Sequence, residues 1–196
     1  MLIVQILWIK IQFDPGIEVE QRSWKMTDEK VKTSNQPSSW RQLKSIDRHC
    51  FGCGTDNVYG LQMIFETDGS RVRSQLTLGD RFRGWSNLVH GGVLATILDE
   101  TMSWAAIAAT EKLMLTKGMQ VRYIKPVRID TSITATGYIK KWLNKREVEV
   151  VAEIEDAVGN LCATSSGKFP LFSRKQFLRM GIMSEQEIDD ILSSLE

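Results

Sequence analysis

Apolar positions change their period several times along the chain, and each change marks an element. Val72, Ser74, Leu76 and Leu78 share one side at period two, which predicts a strand with one buried face. Residues 90–110 lose that alternation and are apolar almost all round, which predicts a long buried helix. Four strands follow, over residues 118–123, 131–143, 146–155 and 161–171. In the third of these, Val148, Val150, Ala152 and Ile154 alternate with Glu147, Glu149, Glu153 and Glu155, and Val151 breaks the pattern. Turns at Asn144-Lys145 and Val158-Gly159-Asn160 make the last three strands antiparallel hairpins. With a further strand over residues 61–66, the order is two strands, one long helix and four strands. That pattern is α+β, with a single helix laid across one face of a curled sheet.

The flanks read differently. Residues 1–16 are apolar but carry no basic leader and no small-residue cleavage site, which argues against a signal peptide. They form either an extra strand or short helix, or result from a start codon set too early, with Met26 as the true beginning. Residues 25–39 are polar and read as a linker. Trp40 and Leu43 then suggest one side of a short helix over residues 39–46. At the other end, residues 174–180 and 184–195 read as two short helices, the second opened by a Ser184–Glu187 capping box and striped by Ile188, Ile191, Leu192 and Leu195. The expected organisation is an N-terminal extension and linker over 1–47, a domain over 48–172 and a helical tail over 173–196.

Whole-chain properties exclude several classes of function. A formal net charge of +1 on 196 residues does not suggest nucleic acid or a membrane surface as the main partner. No apolar run approaches the roughly 20 residues of a membrane span. Three cysteines argue against a disulfide framework and fit a reducing, cytoplasmic compartment.

Candidate chemistry gathers at the helix. His90-Gly91-Gly92 opens it, and the glycines leave the first backbone N–H groups unshielded at the positive end of the helix dipole. Ser86 or Asn87 is placed to cap this start. Thr96, then Asp99 or Glu100, then Ser103 form one polar stripe along an otherwise apolar helix. A carboxylate on such a helix needs a reason, because burying an unpaired charge is costly. His90 and Asp99 are nine residues apart, about half a turn round and about 13 Å along the axis. One helix cannot aim both at one small site, so if both are catalytic a second copy of the chain supplies one of them. Upstream, Cys50-Phe51-Gly52-Cys53 is a lone Cys-x-x-Cys, read as half a zinc site, a redox pair or, more simply, a tight glycine-rich turn that buries two thiols.

These features together resemble a known family. The strand–strand–helix–strands order, His90-Gly91-Gly92, Asp99 nine residues on, and Tyr123-Ile124-Lys125-Pro126 are similar to the hotdog-fold acyl-CoA thioesterases of the phenylacetate-pathway (PaaI-like) type. The turn Cys50-Phe51-Gly52-Cys53-Gly54 followed by Tyr59-Gly60-Leu61 is also similar to bacterial members. The likeness covers about residues 48–172. It implies a homodimer, or a dimer of dimers, with active sites at the subunit interface and an acyl-CoA substrate. It implies that the N–H of Gly91, with that of Gly92, polarises the thioester carbonyl, and that His90 orients the thioester or the loop. Asp99 of the other subunit then acts as general base on water or as nucleophile. Thr116 is the hydroxyl that holds the water, with Ser103 as the alternative. No metal and no cofactor beyond the CoA of the substrate is implied. One position departs from the family: an amide side chain expected six residues before the histidine is Gly84 here, and Asn87 is the nearest amide.

Plainer roles stand beside these. His90 also reads as a helix cap, and Glu100 as either the working acid or a surface charge. Trp85, Met102, Trp104, Met114 and Met119 read as core before they read as an acyl tunnel. Lys140, Lys141, Lys145 and Arg146 read as a solvated hairpin end before they read as a phosphate site. The rival functions are a non-catalytic acyl-CoA binding module, a hotdog dehydratase, and a metal or redox protein built on Cys50 and Cys53.

Overall fold

The computed structural model describes residues 39–44 and 47–195. The expectation for residues 1–16 lies outside them. Eight antiparallel strands form a curled sheet, β1 (Arg41–Leu43), β2 (Phe65–Thr67), β3 (Arg71–Thr77), β4 (Leu113–Met114), β5 (Gly118–Tyr123), β6 (Ser132–Asn144), β7 (Glu147–Asp156) and β8 (Leu161–Phe172). Their order across the sheet is β1-β2-β3-β6-β7-β8, and both β4 and β5 pair with the outer edge of β8. The long helix α1 (Gly91–Thr110) packs across one face, against β3, β6, β7 and β8. This is the hotdog arrangement.

Sequence period decides what α1 rests on. In β7, Val148, Val150, Ala152 and Ile154 are completely buried while the glutamates between them face outward. Ile97, Leu98, Met102 and Ala106 of α1 close over that surface with no exposure at all. Trp104 stacks on Phe65, ring centroids 5.5 Å apart, so Met102 and Trp104 belong to the core. Helix and sheet approach closely at Gly137 of β6, where an added Cβ would lie 2.9 Å from the Thr101 carbonyl oxygen. A bulge after Ile139 sets Lys140 and Lys141 opposite one residue, Glu149, which both reach at 3.1 and 3.2 Å.

Three local expectations are corrected. Residues 41–43 form a strand rather than part of a helix, because β2 offers them a partner edge and Arg73 stacks on Trp40 at 4.0 Å. The strand expected over 61–66 is confined to β2, since Gln62 takes a positive φ of 51°. The two-residue β4 adds a fifth strand after α1. The tail forms α2 (Arg174–Met180) and α3 (Glu185–Ser193), each opened by a capping box. Ile188 of α3 packs with Leu113 and Phe177, and Leu195 joins the main core. Among the described residues no helix is long and apolar enough to cross a membrane.

Because the atom facing Gly137 is backbone, the clash cannot be relieved by a side-chain rotation. Gly137→Ala is expected to destabilise the domain by about 1–3 kcal/mol. A lower urea midpoint at unchanged m-value is the measurement that checks it.

Candidate active site

The start of α1 is built by the loop that enters it. Gly84 N–H donates to Leu88 O at 2.8 Å and His90 N–H to Phe82 O at 3.0 Å, which folds the loop back on itself. Ser86 is held at a φ of 50° within this loop. The residue that caps the helix is therefore His90 and not Ser86 or Asn87: His90 Nδ1 accepts the Gly92 N–H at 3.0 Å. Gly92 thus spends its donor on the cap. Among the described residues no acceptor is bonded to the Gly91 N–H, the donor left at the positive end of the helix. Tyr123, at the end of β5, donates its hydroxyl to the Gly91 carbonyl at 2.8 Å. An open pocket of ≈ 290 Å³ lies beside these atoms, with Leu88, Leu94, Tyr123 and Ile124 in its walls.

Gly84 explains its own departure. A Cβ there would come within 3.0 Å of His90 Cα, so the position has no room for an amide side chain unless the helix start shifts. Asn87 is exposed, and its backbone carbonyl accepts the Ile129 N–H at 2.9 Å.

Two turns further along α1, Asp99 is half-buried and accepts a hydrogen bond from Thr116 Oγ1 at 2.9 Å. Burial raises the Asp99 carboxyl above its ordinary value, and the Thr116 hydrogen bond opposes part of that rise. Ser103 is buried in the helix, and the hydroxyl that reaches Asp99 is that of Thr116. Thr96 Oγ1 turns back to the Gly92 carbonyl at 3.0 Å. Thr116 and Tyr123 thus flank β5, one contacting α1 at Asp99 and the other at Gly91. The two ends of the strand sit at two separate stations of one helix.

Glu100 points elsewhere. Its carboxyl lies against the turn 50–53, with Oε1 3.7 Å from Cys50 Sγ. Burial, with Cys50 and Asp99 adding to it, pushes Glu100 up to about 8. Trp85 is exposed on the entry loop. Two contacts had no sequence signal: Tyr123 belonged to the motif Tyr123-Ile124-Lys125-Pro126 but nothing pointed its hydroxyl at Gly91, and Glu100 is separated from Cys50 by fifty positions.

The fold and part of the sequence match known proteins. Residues 86–163 match the family model of the thioesterase superfamily. A crystal structure of a thioesterase superfamily protein is 27% identical, with a TM-score of 0.58 over 69% of this chain and 70% of the other. The PaaI protein of the phenylacetic acid degradation operon of E. coli is 16% identical, with a TM-score of 0.53 over 58% of this chain and 81% of its own. A hypothetical thioesterase of Streptococcus pneumoniae, solved with coenzyme A, is 14% identical, with a TM-score of 0.50 over 53% and 82%. No curated protein matches the sequence.

The cap gives His90 a structural job that can be measured. His90→Ala is expected to cost about 0.5–2 kcal/mol, and His90→Asn to restore most of it, because asparagine caps equally well. Paired urea unfolding curves of the two variants test this.

Proposed function

We propose, from the likeness of residues 86–163 to the thioesterase superfamily, that the chain hydrolyses an acyl-CoA thioester to a free acid and CoA, using residues of two subunits. The observation that carries the reading is the pair of contacts flanking β5. Thr116–Asp99 and Tyr123–Gly91 mark a carboxylate and an unspent backbone donor at opposite ends of one exposed edge strand. β5 pairs with β8 on one side only, so its outer edge offers a row of N–H and C=O groups to a second copy. Antiparallel pairing of β5 with its copy about a two-fold axis brings the Asp99 end of one subunit beside the Gly91 end of the other. A dimer of dimers is compatible with the same pairing.

In the resulting site the thioester carbonyl oxygen accepts from the Gly91 N–H, a fixed donor at the helix start. Asp99, oriented by Thr116, takes a proton from water as the water oxygen attacks the carbonyl carbon. The tetrahedral intermediate collapses, the carbon–sulfur bond breaks, and the Asp99 proton passes to the departing CoA sulfur. Asp99 attacking directly, through an anhydride, is the variant of the same scheme. Burial suits the base role, because a carboxylate whose pKa is raised is a better proton acceptor. Ser103, Glu100, Gly92 and Asn87 have no step in this scheme, and His90 serves it by holding the helix start. The chemistry calls for no cofactor. Coenzyme A in the S. pneumoniae relative supports the substrate class. A second reading, acyl-CoA binding without turnover, rests on Gly84, which provides no side-chain amide to the carbonyl.

Asp99→Ala is expected to lower thiol release from acyl-CoA by about 10²–10⁴-fold. Gly91→Pro removes the N–H alone: proline is favoured at the first helical position, and His90, at ψ 134°, already has the conformation required before proline. It is expected to cost about 10²–10³-fold. Refolding the two inactive variants together regenerates one intact site per mixed dimer. Recovery of activity in the mixture is the expected result, and a mixture as inactive as its parts rules out the shared site. Acyl-CoA binding with no thiol release from the unmodified chain favours the second reading.

A further inference from the structure

The turn 50–54 takes no part in the hydrolysis, yet it is built with unusual care. Gly54 N–H donates to Cys50 O at 3.0 Å, and Leu61 and Met63 donate to the carbonyls of Phe51 and Gly52 at 2.8 and 2.9 Å. The Gly52 N–H approaches Cys50 Sγ at 3.3 Å. Gly52 has no room for a side chain: a Cβ would fall 2.2 Å from Glu100 Cδ and 2.3 Å from its Cγ. The Glu100 side chain lies across the glycine and reaches the two sulfurs. Cys50 Sγ, Cys53 Sγ and a Glu100 oxygen all lie within 4.8 Å of one another, and Cys50 Sγ is 3.7 Å from Glu100 Oε1.

These spacings fit a metal. A tetrahedral zinc ion with Zn–S of about 2.3 Å and Zn–O of about 2.0 Å holds its ligand atoms about 3.5–3.8 Å apart. The donors come from two elements, a two-residue-spaced cysteine pair and a helix fifty positions away, which a merely buried turn does not require. Among the described residues no Lys, Arg or His forms an ion pair with Glu100, so no protein cation occupies the place. Two thiolates and one carboxylate select zinc over the hard, oxygen-seeking magnesium and calcium. The Gly52 N–H aimed at Cys50 is an outer contact of the kind that orients a metal-bound sulfur.

We propose that Cys50, Cys53 and Glu100 bind a zinc ion that staples the turn 50–54 to α1. Three protein ligands leave the fourth position to water on the side where Cys50 meets solvent. Binding releases the protons of the groups that become ligands, and its free energy adds to the stability of the fold. The site does not depend on what the domain hydrolyses.

The test uses the full chain, reduced and stripped with chelator. Titration with cobalt(II) is expected to give a thiolate-to-cobalt charge-transfer band and tetrahedral visible bands saturating at one equivalent, displaced by zinc. Zinc is expected to raise Tm. Glu100→Gln is expected to keep the charge-transfer band but weaken binding at least about tenfold, and Cys50→Ser to diminish the band as well. Cys53, which is buried, is left in place, and circular dichroism of both variants checks that they are folded. A reduced wild-type chain without a charge-transfer band overturns the proposal, and so does a folded Glu100→Gln variant that binds as tightly as wild type.

Discussion

Burial of α1 is the constraint on which the rest depends. The helix is apolar on nearly every side, so the sheet must curl round it, yet it carries two adjacent carboxylates, Asp99 and Glu100. Neighbours on a helix point about 100° apart. The two acids therefore leave the helix in different directions, and each must meet something polar, since an unpaired buried charge costs several kcal/mol. Asp99 finds the Thr116 hydroxyl beside the edge strand, and Glu100 finds the cysteine turn. The Thr116 contact and the cysteine-turn contact are two answers to one desolvation problem, set by one residue's difference in sequence.

Placement at a sheet edge distinguishes the Asp99 side. A strand already paired on both sides would have enclosed Thr116 and Tyr123 within one subunit. β5 has a neighbour on one side only, and its residues are exposed or half-buried. The same geometry that leaves backbone groups unmatched thus keeps the Thr116 and Tyr123 contacts at an open edge. His90 contributes by absorbing the Gly92 donor, which narrows the helix terminus to one forward-facing N–H. Gly84 packs against that histidine, so the loop is shaped by contact with the cap where an amide would need space.

Long elements with a clear period were legible in the sequence. The alternation of Val148, Val150, Ala152 and Ile154 with glutamates fixed β7 and its buried face, and the apolar run after Gly92 fixed α1. Thr116 and Asp99 were singled out by resemblance, and the structure brings their side chains together. Short elements were not legible. Trp40 and Leu43 are three apart, which suits a helix, but a three-residue segment follows whichever edge accepts it, and here that is β2. Of the caps read from the sequence, His90 holds, and Ser86 and Asn87 fail although they are good capping residues, because their loop is bent away by pairing of Arg83 with Val89 and Leu88 with Arg128. Glu100 and Cys50 meet only through the fold, and no local pattern announces a contact across fifty positions.

Arg41 in the first strand donates to the backbone carbonyl of Leu195, a contact spanning 154 positions. Leu195 also belongs to the main core. During synthesis, β1 and β2 leave the ribosome long before the residue that locks them. The outer border of the sheet stays unfinished until Leu195, 154 positions after Arg41, has emerged, so the first strand to be made is among the last to be secured.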